Sequence, residues 1–211
     1  MLQGDIDIER IMGKLSEEYG IFTSEADFQF SMAWVIKESY PECRIRLEEV
    51  FPWDPDKHFD IVVHTDKGVI PIELKYCTKR LPIGAHCDVV LKNQGAEDLR
   101  RYDFIKDVQR VESVRGHLKK DDQMKFVCGY AILLTNSSLF WKSSRDYQKC
   151  CDHDFRIHED KGRFGGRMSW DGASEGTMKG REESLRTDEY KIIWKDYLDE
   201  PKFRYLPIRI G

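Results

Sequence analysis

The sequence predicts an α/β fold of the α+β type built on a mixed sheet, and three patterns indicate it. Apolar, β-branched residues on both sides of the turn-forming residues 66–68 predict a β-hairpin over residues 58–77. Apolar residues at helical spacing predict a long helix over residues 94–114. The almost wholly apolar run 126–136 predicts a strand buried on both faces, which is typical of parallel pairing through a helical crossover.

The composition is that of a globular protein, and 211 residues are enough for one domain with a substantial core. The net charge of −4 argues against binding nucleic acid over the whole surface, but it allows a local basic groove beside an acidic site. No apolar run reaches the length of a membrane span, the N-terminus lacks a signal-peptide pattern, and the six cysteines show no Cys-x-x-Cys spacing. We therefore expect a cytoplasmic protein with reduced thiols and no membrane partner.

Two helices are predicted ahead of the first strand, over residues 5–19 and 24–40. Ser24 opens the second helix, with Asp27 as its expected capping-box partner. Glu25 therefore lies in the first turn, at the N-terminal end of the apolar stripe. A carboxylate at this position either complements the helix dipole or reaches toward the hairpin as a site residue.

The alternating residues 43–51 predict the outer strand of a three-stranded meander that includes the hairpin. Ile45, Leu47 and Val50 are expected to face inward. The predicted order of elements between residues 24 and 135 is therefore helix, three strands, helix and strand.

Charged residues interrupt the apolar hairpin. Glu73 and Lys75 are two residues apart on one strand and share a face. A two-residue loop at 66–67 places Asp60 across from Glu73, whereas a loop at 67–68 places Asp60 across from Lys75. A three-residue loop would place Asp60 on the opposite face of the sheet.

Two carboxylates and an amine on one patch of sheet suit the metal-assisted hydrolysis of a phosphodiester. Mg²⁺ prefers oxygen ligands, and a lysine beside it can hold the attacking water, stabilise phosphate charge or, if partly desolvated, act as a base. The alternative is a structural cross-strand salt bridge between Lys75 and a carboxylate on an exposed face.

The arrangement of Asp60, a short turn and the Glu-Leu-Lys tripeptide 73–75 in an apolar strand resembles the PD-(D/E)xK nuclease superfamily. The resemblance spans roughly residues 20–136 and implies a restriction-endonuclease-like α-β-β-β-α-β core. The chain would form one such domain, with an N-terminal helix and a C-terminal extension added. One residue departs from the superfamily motif, because Phe59 stands where the proline is usual.

The resemblance also implies roles for individual residues. Asp60 and Glu73 would hold Mg²⁺, which Mn²⁺ could replace, with the Leu74 carbonyl and Glu25 as further ligands. Lys75 would position or activate the water. The implied activity is that of a Mg²⁺-dependent endodeoxyribonuclease, with DNA expected as substrate rather than RNA. An enzyme that cuts both strands would form a homodimer, because one site cuts one strand.

Candidate substrate-binding residues lie just past the tripeptide and on the following helix. Lys79 and Arg80 follow the strand and could line a phosphate path, although charged loop residues are often simply solvated. Gln94 and Arg101 are candidates because, in superfamily relatives, this helix borders the active site.

The same helix carries a charged stripe of alternating sign and is expected to end at Gly116. Such stripes usually form an exposed face stabilised by i,i+3 and i,i+4 pairs. The stripe consists of Arg100, Asp103, Asp107 and Arg110.

Residues 141–187 are rich in glycine, serine and charge, and they predict an insertion or long loop. Basic and aromatic residues are interleaved in it, as in a flap that contacts nucleic acid, although a mobile surface loop is an equal alternative. Residues 190–198 and 203–210 alternate and predict a terminal hairpin that extends the sheet.

A second functional hypothesis is a catalytically inactive module that keeps the fold and serves nucleic-acid binding or assembly. The presence of Asp60, Glu73 and Lys75 together argues against it. Binding of a divalent metal distinguishes the two hypotheses.

Overall fold

A computed structural model describes residues 5–81, 89–118, 124–144 and 146–211. The helices within these residues are α1 (Ile8–Glu18), α2 (Glu25–Ser39), α3 (Glu97–Leu118) and α4 (Glu175–Met178), with 3₁₀ turns at Tyr147–Lys149, His153–Phe155 and Glu159–Lys161. The strands are β1 (Arg44–Val50), β2 (His58–Thr65), β3 (Gly68–Cys77), β4 (Gly129–Thr135), β5 (Arg163–Ser169), β6 (Ser184–Lys191), β7 (Lys195–Leu198) and β8 (Phe203–Ile210).

Six strands form one mixed sheet in the order β1-β2-β3-β4-β8-β7. Strands β3 and β4 are parallel and are joined through α3, while the other neighbours in this sheet are antiparallel. Strands β5 and β6 form a separate two-stranded sheet. The mixed α/β class, the β1-β2-β3 meander and the predicted element order from α2 to β4 are confirmed.

The main sheet is buried on both faces. Helices α1 and α2 cover one face, where Leu15, Phe28 and Met32 share a core with Ile72 and Ile132. Helix α3 and the segment after β4 cover the other face. Strand β4 is buried along its whole length, which is why its sequence is almost wholly apolar.

The register of the hairpin follows from its turn. Thr65 pairs with Gly68, so the loop consists of residues 66–67, and the ladder continues to the pair Ile61 and Ile72. The ladder ends at this pair, and beyond it the Leu74 N–H donates a hydrogen bond to the Asp60 carboxylate. The first of the two predicted loop placements is therefore confirmed.

The start of α2 differs in detail from the prediction. The Ser24 hydroxyl accepts a hydrogen bond from the Asp27 N–H at 3.1 Å, as expected of an N-cap. The Asp27 carboxylate, however, accepts from the Thr23 N–H at 2.8 Å and from the Thr23 hydroxyl at 3.0 Å. The reciprocal bond thus closes one residue earlier than in a standard capping box.

Strand β1 does not bury the residues predicted to face inward. Leu47 and Val50 are 41% and 44% exposed, and Ile45 is half-buried. Two features explain this. The strand is the outermost of the sheet, and Glu48 adopts a left-handed φ of 53°, which breaks the alternation.

Residues 141–187 are more ordered than a long loop. Trp141, Phe155 and Phe164 are buried in the core that includes α3. Strand β5 lies within the segment and pairs with β6, which begins in the segment and continues to Lys191. The prediction of a loop is therefore wrong for these strands. Strands β7 and β8 form the predicted terminal hairpin, although Tyr190 and Lys191 belong to β6 instead.

Other predictions concern the end of α3, membrane-spanning helices and the cysteines. Helix α3 continues through Gly116 to Leu118, so the predicted helix end is wrong. None of the helices in the described part of the chain has the length and apolarity needed to cross a membrane. Cys87 lies outside the described residues. The other cysteines are free thiols: Cys43, Cys77, Cys128, Cys150 and Cys151.

Replacing Gly68 by alanine is expected to destabilise the fold. Gly68 has a φ of 139°, and an added Cβ would press against the Lys125 backbone oxygen, which accepts a hydrogen bond from the Val69 N–H. Backbone strain of this kind amounts to about 1–3 kcal/mol. Urea unfolding followed by circular dichroism measures the change in free energy.

The matched control is Gly13→Ala on the exposed side of α1. Nothing lies within 4 Å of a Cβ added there. Because alanine favours helix, this variant should gain about 0.5–1 kcal/mol. A Gly68→Ala variant as stable as the wild type would contradict the described contact with Lys125.

Candidate active site

The cleft of interest has a volume of about 340 Å³ and lies where α3 passes over β3. Five basic and three acidic side chains line it, so its local charge is positive although the chain is acidic overall. The lining residues are Glu25, Lys57, Lys75, Arg100, Asp103, Lys106, Asp107 and Arg110.

A larger cavity of about 630 Å³ lies at the β2–β3 turn. Its only acidic lining residue among those described is Asp66, accompanied by His64, Lys67 and Lys125. A single carboxylate offers neither a metal pair nor an acid and base pair. The cleft beneath α3 is therefore the better candidate.

Asp60 is tied to the strand opposite. Its Oδ2 accepts a hydrogen bond from the Leu74 N–H at 2.7 Å, just beyond the last regular pair of the β2–β3 ladder. The carboxylate thus takes the place of a backbone acceptor. Gln29 of α2 fixes the backbone at this point by donating to the Asp60 carbonyl at 2.7 Å.

Glu73 is almost wholly buried, with 2% of its surface exposed. Burial raises the pKa of its carboxyl well above the usual value, and the charges of Asp107 and Asp60 add to the rise. The Arg110 guanidinium opposes it, because its Nη2 lies 3.0 Å from Glu73 Oε1. This contact lacks the geometry of a hydrogen bond, so charge holds the pair together.

Lys75 lies between acids from two elements. Its Nζ is 2.9 Å from Asp107 Oδ2 and 3.3 Å from the Leu74 carbonyl oxygen. Burial lowers the pKa of Lys75, but the charges of Asp107, Glu25 and Asp60 outweigh burial and raise it overall. Lys75 is therefore a cation at neutral pH and not a base in this arrangement. Its ion-pair partner is on α3, so the simple cross-strand salt bridge is not formed.

Glu25 joins the same group from α2. Its Oε2 accepts a hydrogen bond from the Tyr76 N–H at 2.7 Å, one residue beyond Lys75. The side chain remains open to the cleft. Burial by the surrounding protein raises its pKa, Asp60 adds to the rise, and the cations Lys75 and Arg100 oppose it.

Helix α3 supplies two residues that the sequence analysis assigned to an exposed face. Asp107 is 6% exposed, and burial raises its pKa to about 6 against the opposing charge of Lys75. Arg110 bridges Asp107 at 3.5 Å and Glu73. The signal for this burial was available, because Asp107 lies three residues after Phe104 and four before Val111, inside the apolar stripe.

Three predicted substrate-binding residues do not line the cleft. Gln94 is tied to the end of β3, since its N–H donates to the Thr78 carbonyl at 2.8 Å. Lys79 forms an ion pair with Glu97, and Arg80 is exposed on the chain beyond β3. Their closeness in sequence to Lys75 therefore does not bring them to the acids.

Arg101 is also absent from the cleft, because it belongs to the core on the other side of α3. It is 3% exposed and pairs with buried Asp152, with Nη2 at 2.6 Å and Nε at 3.0 Å from the same oxygen. One residue along a helix changes the direction of a side chain by about 100°. Arg100 lines the cleft while Arg101 points away from it.

The donor chemistry of the group fits Mg²⁺ in kind. Glu25, Asp60 and Glu73 offer carboxylate oxygens, and the Leu74 carbonyl lies among them. Among the described residues, however, no three acidic, histidine or cysteine side chains lie close enough to hold an ion as they stand. Binding a metal therefore requires side-chain rotation, and the cations Lys75 and Arg110 neutralise the acids in this state.

Replacing Arg101 by alanine is expected to lower the free energy of unfolding by about 3 kcal/mol, because it leaves the buried Asp152 carboxylate, among the described residues, with the ion pair to Arg156 alone. The neighbouring change Arg100→Ala should remove about 1 kcal/mol or less, since Arg100 is half-buried at the edge of the cleft. Urea unfolding of both variants makes the comparison. Equal losses would contradict the different positions of the two arginines.

No protein-family model matches the sequence, and a search of curated proteins finds no match either.

Proposed function

We propose that the protein is a metal-dependent nuclease that hydrolyses phosphodiester bonds, with DNA as the expected substrate. One observation carries the proposal: α2, β2 and β3 bring Glu25, Asp60, Glu73 and Lys75 into one electrostatically coupled group, and Glu25 and Lys75 of this group line a basic cleft. Perturbed pKa values from burial and charge partners in a cleft are typical of functional sites.

The restriction-endonuclease-like core is the finer fold that we propose. The order of elements from α2 to β4 and the parallel pairing of β3 with β4 across the α3 crossover support it. The acids lie at the end of the β2–β3 hairpin, as the resemblance to the PD-(D/E)xK superfamily implies.

In this proposal Asp60 and Glu73 hold a Mg²⁺ ion, with the Leu74 carbonyl and Glu25 as further ligands. When bound, the ion polarises the phosphate and lowers the pKa of a water molecule. The hydrogen bonds from the Leu74 and Tyr76 N–H groups hold the Asp60 and Glu25 carboxylates against β3, and Glu25 also lines the cleft. Mn²⁺, which also accepts oxygen ligands, would substitute.

Lys75 acts as a fixed positive charge. Its raised pKa keeps the amine protonated, so it donates hydrogen bonds to the attacking water and to phosphate oxygens and does not remove a proton. Asp107 holds the amine at 2.9 Å and limits its rotation. The water would pass its proton to solvent or to a substrate phosphate.

The basic rim suits a nucleic-acid backbone. Lys57, Arg100 and Lys106 line the cleft around the acids, and such residues bind phosphates irrespective of base sequence. The described residues of one chain form one such group of acids, so cutting both strands of a duplex would require two copies.

The second candidate is an inactive nucleic-acid-binding module. The ion pairs Lys75–Asp107 and Arg110–Glu73 favour it, because they neutralise buried acids without a metal. Structural ion-pair networks also shift pKa values. Binding of DNA without metal-dependent cleavage would support this candidate.

Replacing Asp60 or Lys75 by alanine is expected to reduce Mg²⁺-dependent cleavage of DNA at least about 100-fold, because each change removes a charge that stabilises the transition state. Cleavage of a labelled duplex with Mg²⁺ and with EDTA measures the activity. Lys79→Ala, which lies outside the cleft, should retain it. Activity that survives in both alanine variants would sink the nuclease proposal.

Replacing Arg100 by alanine is expected to weaken DNA binding and to reduce the slope of log Kd against log salt concentration by about 1, since one phosphate contact is lost. Fluorescence anisotropy in EDTA measures binding without cleavage. Lys149→Ala removes an exposed charge outside the cleft and serves as the control. An unchanged slope for Arg100→Ala would show that DNA does not enter this cleft.

A further inference from the structure

Arg110 is the side chain that closes off Glu73. Its Nη2 lies 3.0 Å from Glu73 Oε1, and its Nη1 lies 3.5 Å from Asp107 Oδ1. The guanidinium also donates to the His58 carbonyl and stands 5.0 Å from the centre of the Phe59 ring. Its position is therefore fixed by four neighbours on three elements.

Arg110 and a metal ion would compete for the charge of Glu73. The carboxylate is 2% exposed and needs a positive partner, because an unpaired buried charge is strongly unfavourable. In this state the partner is the Arg110 guanidinium, whose Nη2 faces Oε1. A divalent ion bound to Glu73 would repel Arg110, so each cation weakens the binding of the other.

The contact between Arg110 and Glu73 is of a kind that can be exchanged for another partner. The contact between Arg110 and Glu73 Oε1 lacks hydrogen-bond geometry, and that oxygen has no other hydrogen-bond partner among the described residues. A directional, charge-assisted hydrogen bond would hold the pair more tightly. Arg110 Nη2 donates a hydrogen bond instead to the His58 carbonyl.

Arg110 also faces the cleft. Its side chain is 22% exposed and lines the cleft with Lys75 and Arg100. The planar fork of a guanidinium matches two oxygens of a phosphate as well as it matches a carboxylate. Because Arg110 lines the cleft, a phosphate bound there offers its guanidinium a second partner.

We propose that Arg110 is a substrate-binding residue that exchanges Glu73 for a substrate phosphate, so that the metal ion binds fully only after nucleic acid has entered. The inference rests on the proposed nuclease function and adds the order in which nucleic acid and metal bind. Without substrate, Arg110 competes with the metal for Glu73. With substrate, the phosphate draws Arg110 away and frees the carboxylate. Metal and nucleic acid then strengthen each other's binding by the same factor.

Titration with Mn²⁺, followed by the electron paramagnetic resonance signal of the free ion, tests whether Arg110 competes with the metal when no substrate is present. Without DNA, Arg110→Gln should bind Mn²⁺ at least about tenfold more tightly than the wild type, because a neighbouring unit charge shifts carboxylate equilibria about 10- to 1000-fold. Arg110→Lys, whose single amine contacts one acid at a time, should fall between the two. A purely structural Arg110 predicts equal or weaker Mn²⁺ binding in both variants, and that result would overturn the inference.

The Lys75→Ala variant, which is expected to leave DNA uncut, tests whether a substrate phosphate draws Arg110 away from Glu73. After subtraction of Mn²⁺ bound by DNA alone, added duplex should tighten Mn²⁺ binding in this variant. It should do so less in Lys75→Ala/Arg110→Gln, where the phosphate can act as a ligand but frees no carboxylate. Equal tightening in both would overturn the exchange. Circular dichroism checks folding, and the lysine variant carries the test if Arg110→Gln does not fold.

Failure of the proposed function gives a different pattern. If the wild type, Arg110→Gln and Asp60→Ala all take up Mn²⁺ identically, the acids hold no specific ion and both proposals fall. If Asp60→Ala alone loses binding while Arg110→Gln matches the wild type, the metal site stands and only the role of Arg110 is wrong.

Discussion

The register of β2 against β3 decides whether this protein has a site at all. A turn of two residues, 66–67, sets a register in which the Asp60 carboxylate meets the Leu74 N–H, next to Glu73 in the chain, and a shift by one residue would place one of the two acids on the opposite face of the sheet. Gly68 secures this turn, because its φ of 139° brings the chain close to Lys125. Five residues at about 3.4 Å each separate Gly68 from Glu73. A contact about 17 Å from the acids therefore fixes the register in which they lie.

The second constraint is charge. Glu25, Asp60, Glu73 and Asp107 crowd around Lys75, and burial raises the pKa of Glu25, Glu73 and Asp107. A hydrophobic replacement of such a network is often neutral or stabilising, so stability gives little reason to keep it. Its location at the edge of a basic cleft gives a functional reason. Helix α3 provides both the counter-charges and one wall of that cleft.

Local sequence patterns predicted the secondary-structure elements well. The apolar composition of β4 and the apolar strands on both sides of a turn in the hairpin are recognisable in the sequence alone. The patterns could not choose between two turns that use the same residues 66–68, since Gly68 is selected by a distant contact. They also failed on α3. This helix is covered by the sheet on one side and by Phe155 and Phe164 on the other, so a charged stripe did not mean exposure. Arg101 and Arg110 look alike in sequence, and only packing separates a core ion pair from a site residue.

The central claim is that Asp60 and Glu73 form one metal site at the cleft. A crystal structure of the protein with a bound DNA duplex, soaked in Mn²⁺ and with anomalous diffraction to locate the ion, tests it most directly. The account predicts an anomalous peak between the Asp60 and Glu73 carboxylates, beside the Leu74 carbonyl, with Arg110 turned away from Glu73. Carboxylates still paired with Arg110 and Lys75 at saturating Mn²⁺, with no peak between them, would contradict it.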